Sequence, residues 1–334
     1  MDMLFGCPVT HLEGSRFGRV IDVADGRAFA DAVEASPGKL PALLYEADGF
    51  LLLKGMAAIS GDPELLIRLS RPFGREVEDY AKTTNRLSML HPASSHIIRI
   101  TNLPPVKFPV PDRPEPPTLP DGSLPVQFPH RRGWHTDQSF RRPPPDISLF
   151  YAHQPCPRDQ GQTLYADGVG AYGALSDAMK ARVEDLYALH VAPYKGYGED
   201  SVLAGEEPQP LNAKDGPQPQ PVVRVHPVSG RKALYLCERE QLDWRNGPFV
   251  GMEPGVHGAG RDLLYELMAH YTQPAFTYAH HWDQGDVVIY DNRCTIHTAT
   301  WFDSERYGRD MWRTTVWGNP GAYYEGEARS WEAA

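Results

Sequence analysis

The stretch DVVIYDNRCTIHTAT (286–300) holds two short runs, DVVIYD and TIHTAT, separated by the loop Asp291-Asn292-Arg293. Each run has the length and the β-branched, aromatic content of a buried strand. The same grammar recurs on both sides. WHTDQSF from Trp134, ISLFYAHQ (147–154), QTLYAD (162–167), VVRVHP (222–227), KALYLC (232–237), FTYAHHW (276–282) and WRTTVW (312–317) all read as strands. VSGR (228–231) supplies a hairpin turn between two of them. Two helices interrupt the series, one starting near Ser176 and one near Gly260. Eight or nine short strands with turn signals point to a double-sheet jelly roll or a barrel. A parallel α/β sheet would need helices alternating regularly with strands.

The first hundred residues mix element types. Asp25 to Ser36 reads as a short helix, GFLLLKG (49–55) as a buried strand and HIIRITN (96–102) as another. Asp62 to Ser70 reads as a helix, with Asp62 as its cap, Pro63 at its first position and Leu65, Leu66 and Leu69 on one face. Residues 101–130 contain ten prolines and almost no periodicity. Such a segment cannot pair continuously in a sheet, and it reads as a long loop over a site.

The 334 residues are 41% hydrophobic and 23% charged, which excludes wholesale disorder, a coiled coil and a collagen-like rod. With 30 Gly and 32 Pro, the chain favours turns and short strands over a helical bundle. The net charge of −10 argues against nucleic acid or an anionic membrane as partner. No apolar run approaches a membrane span, and the first residues lack the pattern of a secretory signal. Cys7, Cys156, Cys237 and Cys294 are widely spread, so they form neither a disulfide framework nor a cysteine zinc site. The expectation is a cytoplasmic protein.

Trp134-His135-Thr136-Asp137 carries the chemistry. On a strand, residues i and i+2 share a face, so His135 and Asp137 would point into the barrel together. His297, in TIHTAT, is the best third member. Two histidines and a carboxylate form the facial triad of non-haem Fe(II) oxygenases, which leaves positions open for substrates. RDMWRTT (309–315) adds two cations, Arg309 and Arg313, on one face of the last strand. An inward arginine needs an anion, and guanidinium binds carboxylate through a two-pronged fork. Pairing with acids such as Asp303 or Asp310 is the structural alternative.

Taken together, WHTDQSF, GQTLYADGVGAYGALS (161–176), PVVRVHPVSGRKALYLC (221–237), GDVVIYDNRCTIHTAT (285–300) and RDMWRTT resemble the taurine dioxygenase (TauD/TfdA-like) family of Fe(II)- and 2-oxoglutarate-dependent oxygenases, over about residues 40–320. The resemblance implies a mixed α/β, mainly β chain. Its core would be a double-stranded β-helix (jelly roll) with flanking helices, in one domain over 1–334 with the Pro-rich active-site loop at about 103–130. It implies that His135, Asp137 and His297 ligate Fe(II), and that Thr163 and Arg309 hold 2-oxoglutarate, with O2 as the second cosubstrate. Arg313 matches the arginine that binds the anionic group of the substrate. Arg131, within His130-Arg131-Arg132, and Tyr80 are further substrate-binding candidates. Gln160-Gly161-Gln162-Thr163 stands where the family often has Gly-Gly-Asp-Thr, which alters the turn and keeps the hydroxyl.

The function so implied is hydroxylation of a small anionic organic molecule with release of succinate and CO2, leading in some cases to C–S or C–O cleavage. The presence of Asp137 argues for hydroxylation over halogenation. The implied protein is a homo-oligomer, a dimer, with no nucleic acid or membrane partner. Two alternatives stay open: a zinc hydrolase using the same triad, and a non-enzymatic jelly-roll protein that binds a small acid.

Overall fold

The computed structural model describes residues 2–84, 86–106, 109–110, 112–113, 133–211 and 216–332. Two facing sheets form its core. The frame comprises β1 (Phe50–Lys54), β2 (Ser94–Thr101), β3 (Ile147–Gln154), β4 (Thr163–Asp167), β5 (Thr277–His280), β6 (Val287–Asp291), β7 (Thr295–Ala299) and β8 (Asp310–Trp317). The larger sheet runs β1-β6-β3-β8-β2 and the smaller runs β5-β4-β7, with these pairings all antiparallel. The chain crosses between sheets from β3 to β4, β5 to β6, β6 to β7 and β7 to β8, the winding of a jelly roll. Short strands Arg19–Asp22, Cys7–His11 and Asp2–Leu4 extend the larger sheet beyond β1.

Alternation along the strands divides the core. Phe50 and Leu52 of β1, Phe150 of β3, Tyr165 of β4 and Val288 and Tyr290 of β6 fill the layer between the sheets. Leu51, Leu53, Leu149, Val287 and Ile289 face the other way. They pack with Phe29 and Val33 of helix Gly26–Ala35, Leu40 and Leu44 of helix Lys39–Glu46, and Leu65 and Leu69 of helix Glu64–Ser70. A strand covered on both faces has no solvent side, which is why FLLLK and VVIYD read as unbroken apolar runs. Each such buried Leu or Ile contributes about 1.5–3 kcal/mol. Outside the smaller sheet, Leu164, Ala166 and Ile296 pack with Leu263 and Leu267 of helix Ala259–Tyr271.

Two local expectations are corrected. WHTDQSF is not a strand. Only His135 pairs, through an isolated antiparallel bridge to His297, and the chain then turns, with Gln138 at φ 51°. Asp62 does not cap its helix. Pro63 occupies that position, and the Asp62 carboxylate accepts from Arg27 Nη1 at 2.5 Å instead. Asp25 does cap Gly26–Ala35, accepting from the backbone N–H of Arg27 and Ala28. Among the described residues no helix is long and apolar enough to cross a membrane.

Candidate active site

His135 and His297 meet through the backbone. His135 N–H donates to His297 O at 3.0 Å and His297 N–H returns to His135 O at 2.7 Å. This reciprocal pair sets the two imidazoles side by side, with ring centroids 4.4 Å apart. Asp137 arrives from the turn that follows, not from a shared strand face. Its Oδ1 lies 3.8 Å from His297 Nε2. One ligand atom from each of the three residues lies within 4.8 Å of the others.

The orientation of each group suits a metal. Gly133 O lies 3.1 Å from His135 Nδ1, so Nδ1–H donates there and Nε2 is the nitrogen that would carry a cation. Asp137 Oδ2 accepts from Ser148 Oγ at 2.8 Å and from Tyr290 Oη at 2.6 Å. Arg313 Nη1 donates to Oδ1. Burial opposes the charge of Asp137. Arg313, the two imidazoles and the Tyr290 hydroxyl outweigh it and hold the carboxyl well below its usual range. Asn292 fixes the turn itself. Its Oδ1 accepts from Asp137 N–H at 3.0 Å and Thr136 Oγ1 at 3.1 Å, and its Nδ2 donates to Ser148 Oγ at 3.0 Å. Ser148, Tyr290 and Asn292 were not singled out from sequence. Asn292 lies in the loop that separates the two quoted strands, which was the one available signal.

A cavity of about 120 Å³ opens beside the two imidazoles, lined also by Phe150, Thr163, Tyr290 and Arg309. Arg309 precedes β8, just before a register shift between Asp310 and Met311. It is 6% exposed, and its Nε and Nη2 have no partner among the described residues. The anticipated acids are engaged elsewhere. Asp310 takes Arg99 at 2.7 Å, and Asp303 accepts the N–H groups of Glu305 and Arg306. Burial works against the charge of Arg309, and no carboxylate among the described residues offsets it. Thr163 Oγ1 accepts from Trp282 Nε1 at 3.0 Å, so the hydroxyl hydrogen is left for another acceptor. A buried guanidinium with no anion among the described residues, in one cavity with an oriented hydroxyl, fits the distal carboxylate of 2-oxoglutarate.

A second cavity, of about 340 Å³, adjoins the first and shares Ile100, Tyr194 and Arg313 with it. Asp137, Tyr80, Met89, Ile98, Phe140 and Arg141 are among its walls. Tyr80 is buried on the short helix Tyr80–Thr83, its hydroxyl 2.6 Å from Thr315 Oγ1. Glu78 and Arg141 form a buried ion pair at 2.8 Å, and Gln138 Nε2 donates to the same carboxylate at 2.6 Å. Arg131 lies outside the described residues, as do His130 and Arg132.

A second group, His226, Asp291 and Cys294, also brings ligand atoms within 4.8 Å. Its donors are already engaged. His226 Nδ1 accepts from Val228 and Ser229 N–H, and Nε2–H donates to Asp291 at 2.9 Å. Arg293 also holds Asp291, at 2.6 Å, and burial pushes the Cys294 thiol well up. This cluster pins the β6–β7 loop rather than a metal.

A jelly roll whose pocket joins two imidazoles, a carboxylate and a guanidinium without an anion among the described residues belongs with the metal-dependent oxygenases that take an acidic cosubstrate. The family model for taurine catabolism dioxygenase TauD, TfdA family, matches residues 11–315, so the chain belongs to that family. It is an Fe(II)- and 2-oxoglutarate-dependent dioxygenase, with O2 as the other cosubstrate. It is 34% identical over 213 residues to (S)-phenoxypropionate/alpha-ketoglutarate-dioxygenase of Sphingobium herbicidovorans, covering 60% of this chain and 70% of that protein. It is 31% identical over 187 residues to alpha-ketoglutarate-dependent 2,4-dichlorophenoxyacetate dioxygenase of a Burkholderia species, covering 55% of this chain and 58% of that one. The crystal structure of AAD-2 with Mn(II) and N-oxalylglycine superimposes with a TM-score of 0.65 at 25% identity, over 94% of this chain and 98% of that one.

Proposed function

We propose that the protein hydroxylates a small carboxylate or sulfonate with an apolar, aromatic body, held in the 340 Å³ cavity. His135, Asp137 and His297 would hold Fe(II), and Arg309 and Thr163 would hold 2-oxoglutarate. The observation that carries this reading is the buried Arg309 side chain with two N–H groups unpartnered among the described residues. A zinc hydrolase gives no reason for that cation beside Thr163, and a simple acid binder gives no reason for the triad beside it. When bound, iron with 2-oxoglutarate and O2 supplies the oxidation: substrate C–H becomes C–OH, and 2-oxoglutarate becomes succinate and CO2. Hydroxylation at a carbon bearing an ether oxygen or a sulfonate would lead on to C–O or C–S cleavage.

The chain's own part is binding, orientation and exclusion of water. Arg309 neutralises the far carboxylate in a dry pocket, and Thr163, aligned by Trp282, donates to it. Arg313 stands between the two cavities. One of its N–H groups is on Asp137, and its Nε has no partner among the described residues, which supports a role in binding the substrate anion. Tyr80, Phe140 and Met89 suit an aromatic body. Arg131 stays in the proposed substrate set for its charge and its nearness to His135 in sequence.

The same proposal takes 1–334 as one domain and the Pro-rich segment at about 103–130 as an active-site loop. Pro109 and Val110 line the Arg309 cavity, which supports that placement. It also takes the protein as a cytoplasmic homodimer acting on free small molecules, with no nucleic acid or membrane partner. The net charge of −10 supports the lack of nucleic-acid and membrane partners, and equilibrium sedimentation tests the dimer. Succinate release measured across aryloxyalkanoates, alkylsulfonates and neutral aryl ethers tests the substrate class. Stimulation by the anions only, with KM raised at least tenfold by Arg313→Gln, is the expected result. Stimulation by the neutral ethers to the same degree would refute it.

A further inference from the structure

We infer that the C-terminal segment forms the far wall of the substrate cavity and that Trp331 sets the size of the substrate body it admits. This rests on the assignment of the 340 Å³ cavity to the substrate. The matched family region ends at residue 315, so Trp331 belongs to a part of the chain that the family model does not cover. Trp331 nevertheless lines the same cavity as Arg313 and Tyr80.

The segment is tied down at its backbone. Ser330 N–H donates to Arg142 O at 2.8 Å, and Arg142 N–H returns to Ser330 Oγ at 3.0 Å. Arg329 pairs with Glu76 at 2.6 Å. These contacts sit on either side of β8, since Glu76 belongs to the short strand paired with its end and Arg142 to the turn before β3. Partly exposed ion pairs of this kind hold little by themselves. The aromatic contacts make the wall. The Trp331 ring lies 4.4 Å from Trp317 at the end of β8, and the guanidinium of Arg141 lies 5.3 Å from the Trp331 centroid.

Arg141 connects this wall to the reacting end. It pairs with buried Glu78, which also binds Gln138, the residue after Asp137. A large planar side chain fixed against a second indole, with a cation over its face, is a rigid surface. A rigid wall in the cavity that also holds the anion anchor discriminates by the length and width of what fits between them. Trp331 is therefore a specificity residue: it touches the substrate body and leaves the metal and cosubstrate groups alone.

The test uses the full-length enzyme loaded anaerobically with Fe(II) and 2-oxoglutarate. Dissociation constants of phenoxyacetate and 2-naphthyloxyacetate are read from the shift each causes in the visible band. In Trp331→Ala, the preference between the two acids should move toward the naphthyl acid by about tenfold. Trp331→Phe should stay within about twofold of the wild-type ratio, and the band before substrate addition should be the same in all three proteins. Trp331→Leu carries the same test if Trp331→Ala does not fold. An unchanged ratio in a folded Ala or Leu variant would overturn the inference while leaving the proposed function in place. A wild type that binds neither acid would overturn the substrate assignment and this inference with it.

Discussion

Replacing Arg309 by Met should stabilise the empty protein and destroy its response to 2-oxoglutarate. Arg309 is 6% exposed, lacks an acidic partner among the described residues, and has two of its N–H groups unsatisfied there. Its compensation is partial: the Phe150 ring centroid lies 5.8 Å from the guanidinium, a contact worth about 0.5–1 kcal/mol. Replacing a buried ion pair by apolar residues of similar volume is often neutral or gains about 1–4 kcal/mol, and a guanidinium with no carboxylate beside it among the described residues should gain on the same scale. For a chain of this size that is a rise in melting temperature on the order of 1–6 °C. With Mn(II) present, 2-oxoglutarate at a thousandfold excess over its Kd should stabilise the wild type by about 4.1 kcal/mol and the variant by nothing measurable. The two proteins should therefore change order: the variant melts higher when empty, the wild type higher when loaded. Differential scanning calorimetry under both conditions reads this directly. A variant that melts several degrees lower when empty, or that still gains from 2-oxoglutarate, would refute the claim that Arg309 is held unpaired for a ligand anion.

Asn292→Ala removes the acceptor that fixes Thr136 and the Asp137 N–H, and the donor to Ser148. Metal affinity, measured by competition with a chelating dye, should fall about 10–100-fold with secondary structure retained. His190 is buried with Nδ1 2.7 Å from Ser139 Oγ, and burial lowers its pKa from 6.5 to about 3. The unfolded chain thus binds a proton that the folded chain refuses. The contribution is full above pH 6.5 and is lost as pH falls toward 3, by at most about 5 kcal/mol. Urea denaturation at pH 7.5 and pH 5 should show the first part of that loss, about 2 kcal/mol, in the wild type, and His190→Gln should reduce the difference.

Much of this architecture is legible in the sequence because the frame strands are strongly patterned. FLLLK, ISLFYAHQ, VVIYD and TIHTA are buried on one or both faces, so their apolar residues leave no ambiguity about where a strand lies. The triad residues are legible as types. A shared strand face is not what brings them together in the fold. A strand through WHTDQSF would also have put His135 and Asp137 on one side, but the chain makes a single bridge at His135 and then a turn held by Asn292. Nothing local in the sequence distinguishes those two routes. The pairing of Arg313 with Asp137, the Glu78–Arg141 pair and the docking of Trp331 on Trp317 join residues far apart along the chain. Such contacts are set by the packing of the two sheets and leave no periodic trace. Asp62 shows the converse: a good capping residue is drawn away when a cation such as Arg27 lies within reach.

His135, Asp137 and His297 are proposed to hold iron beside a 2-oxoglutarate site built on Arg309 and Thr163. An anaerobic optical titration with Fe(II) and then 2-oxoglutarate tests it most directly. The expected result is a visible charge-transfer band in the wild type that needs both additions, absent in Asp137→Ala and in Arg309→Met at the same concentrations. A folded wild type that binds iron and shows no band with 2-oxoglutarate, or a band that survives in both variants, would contradict it.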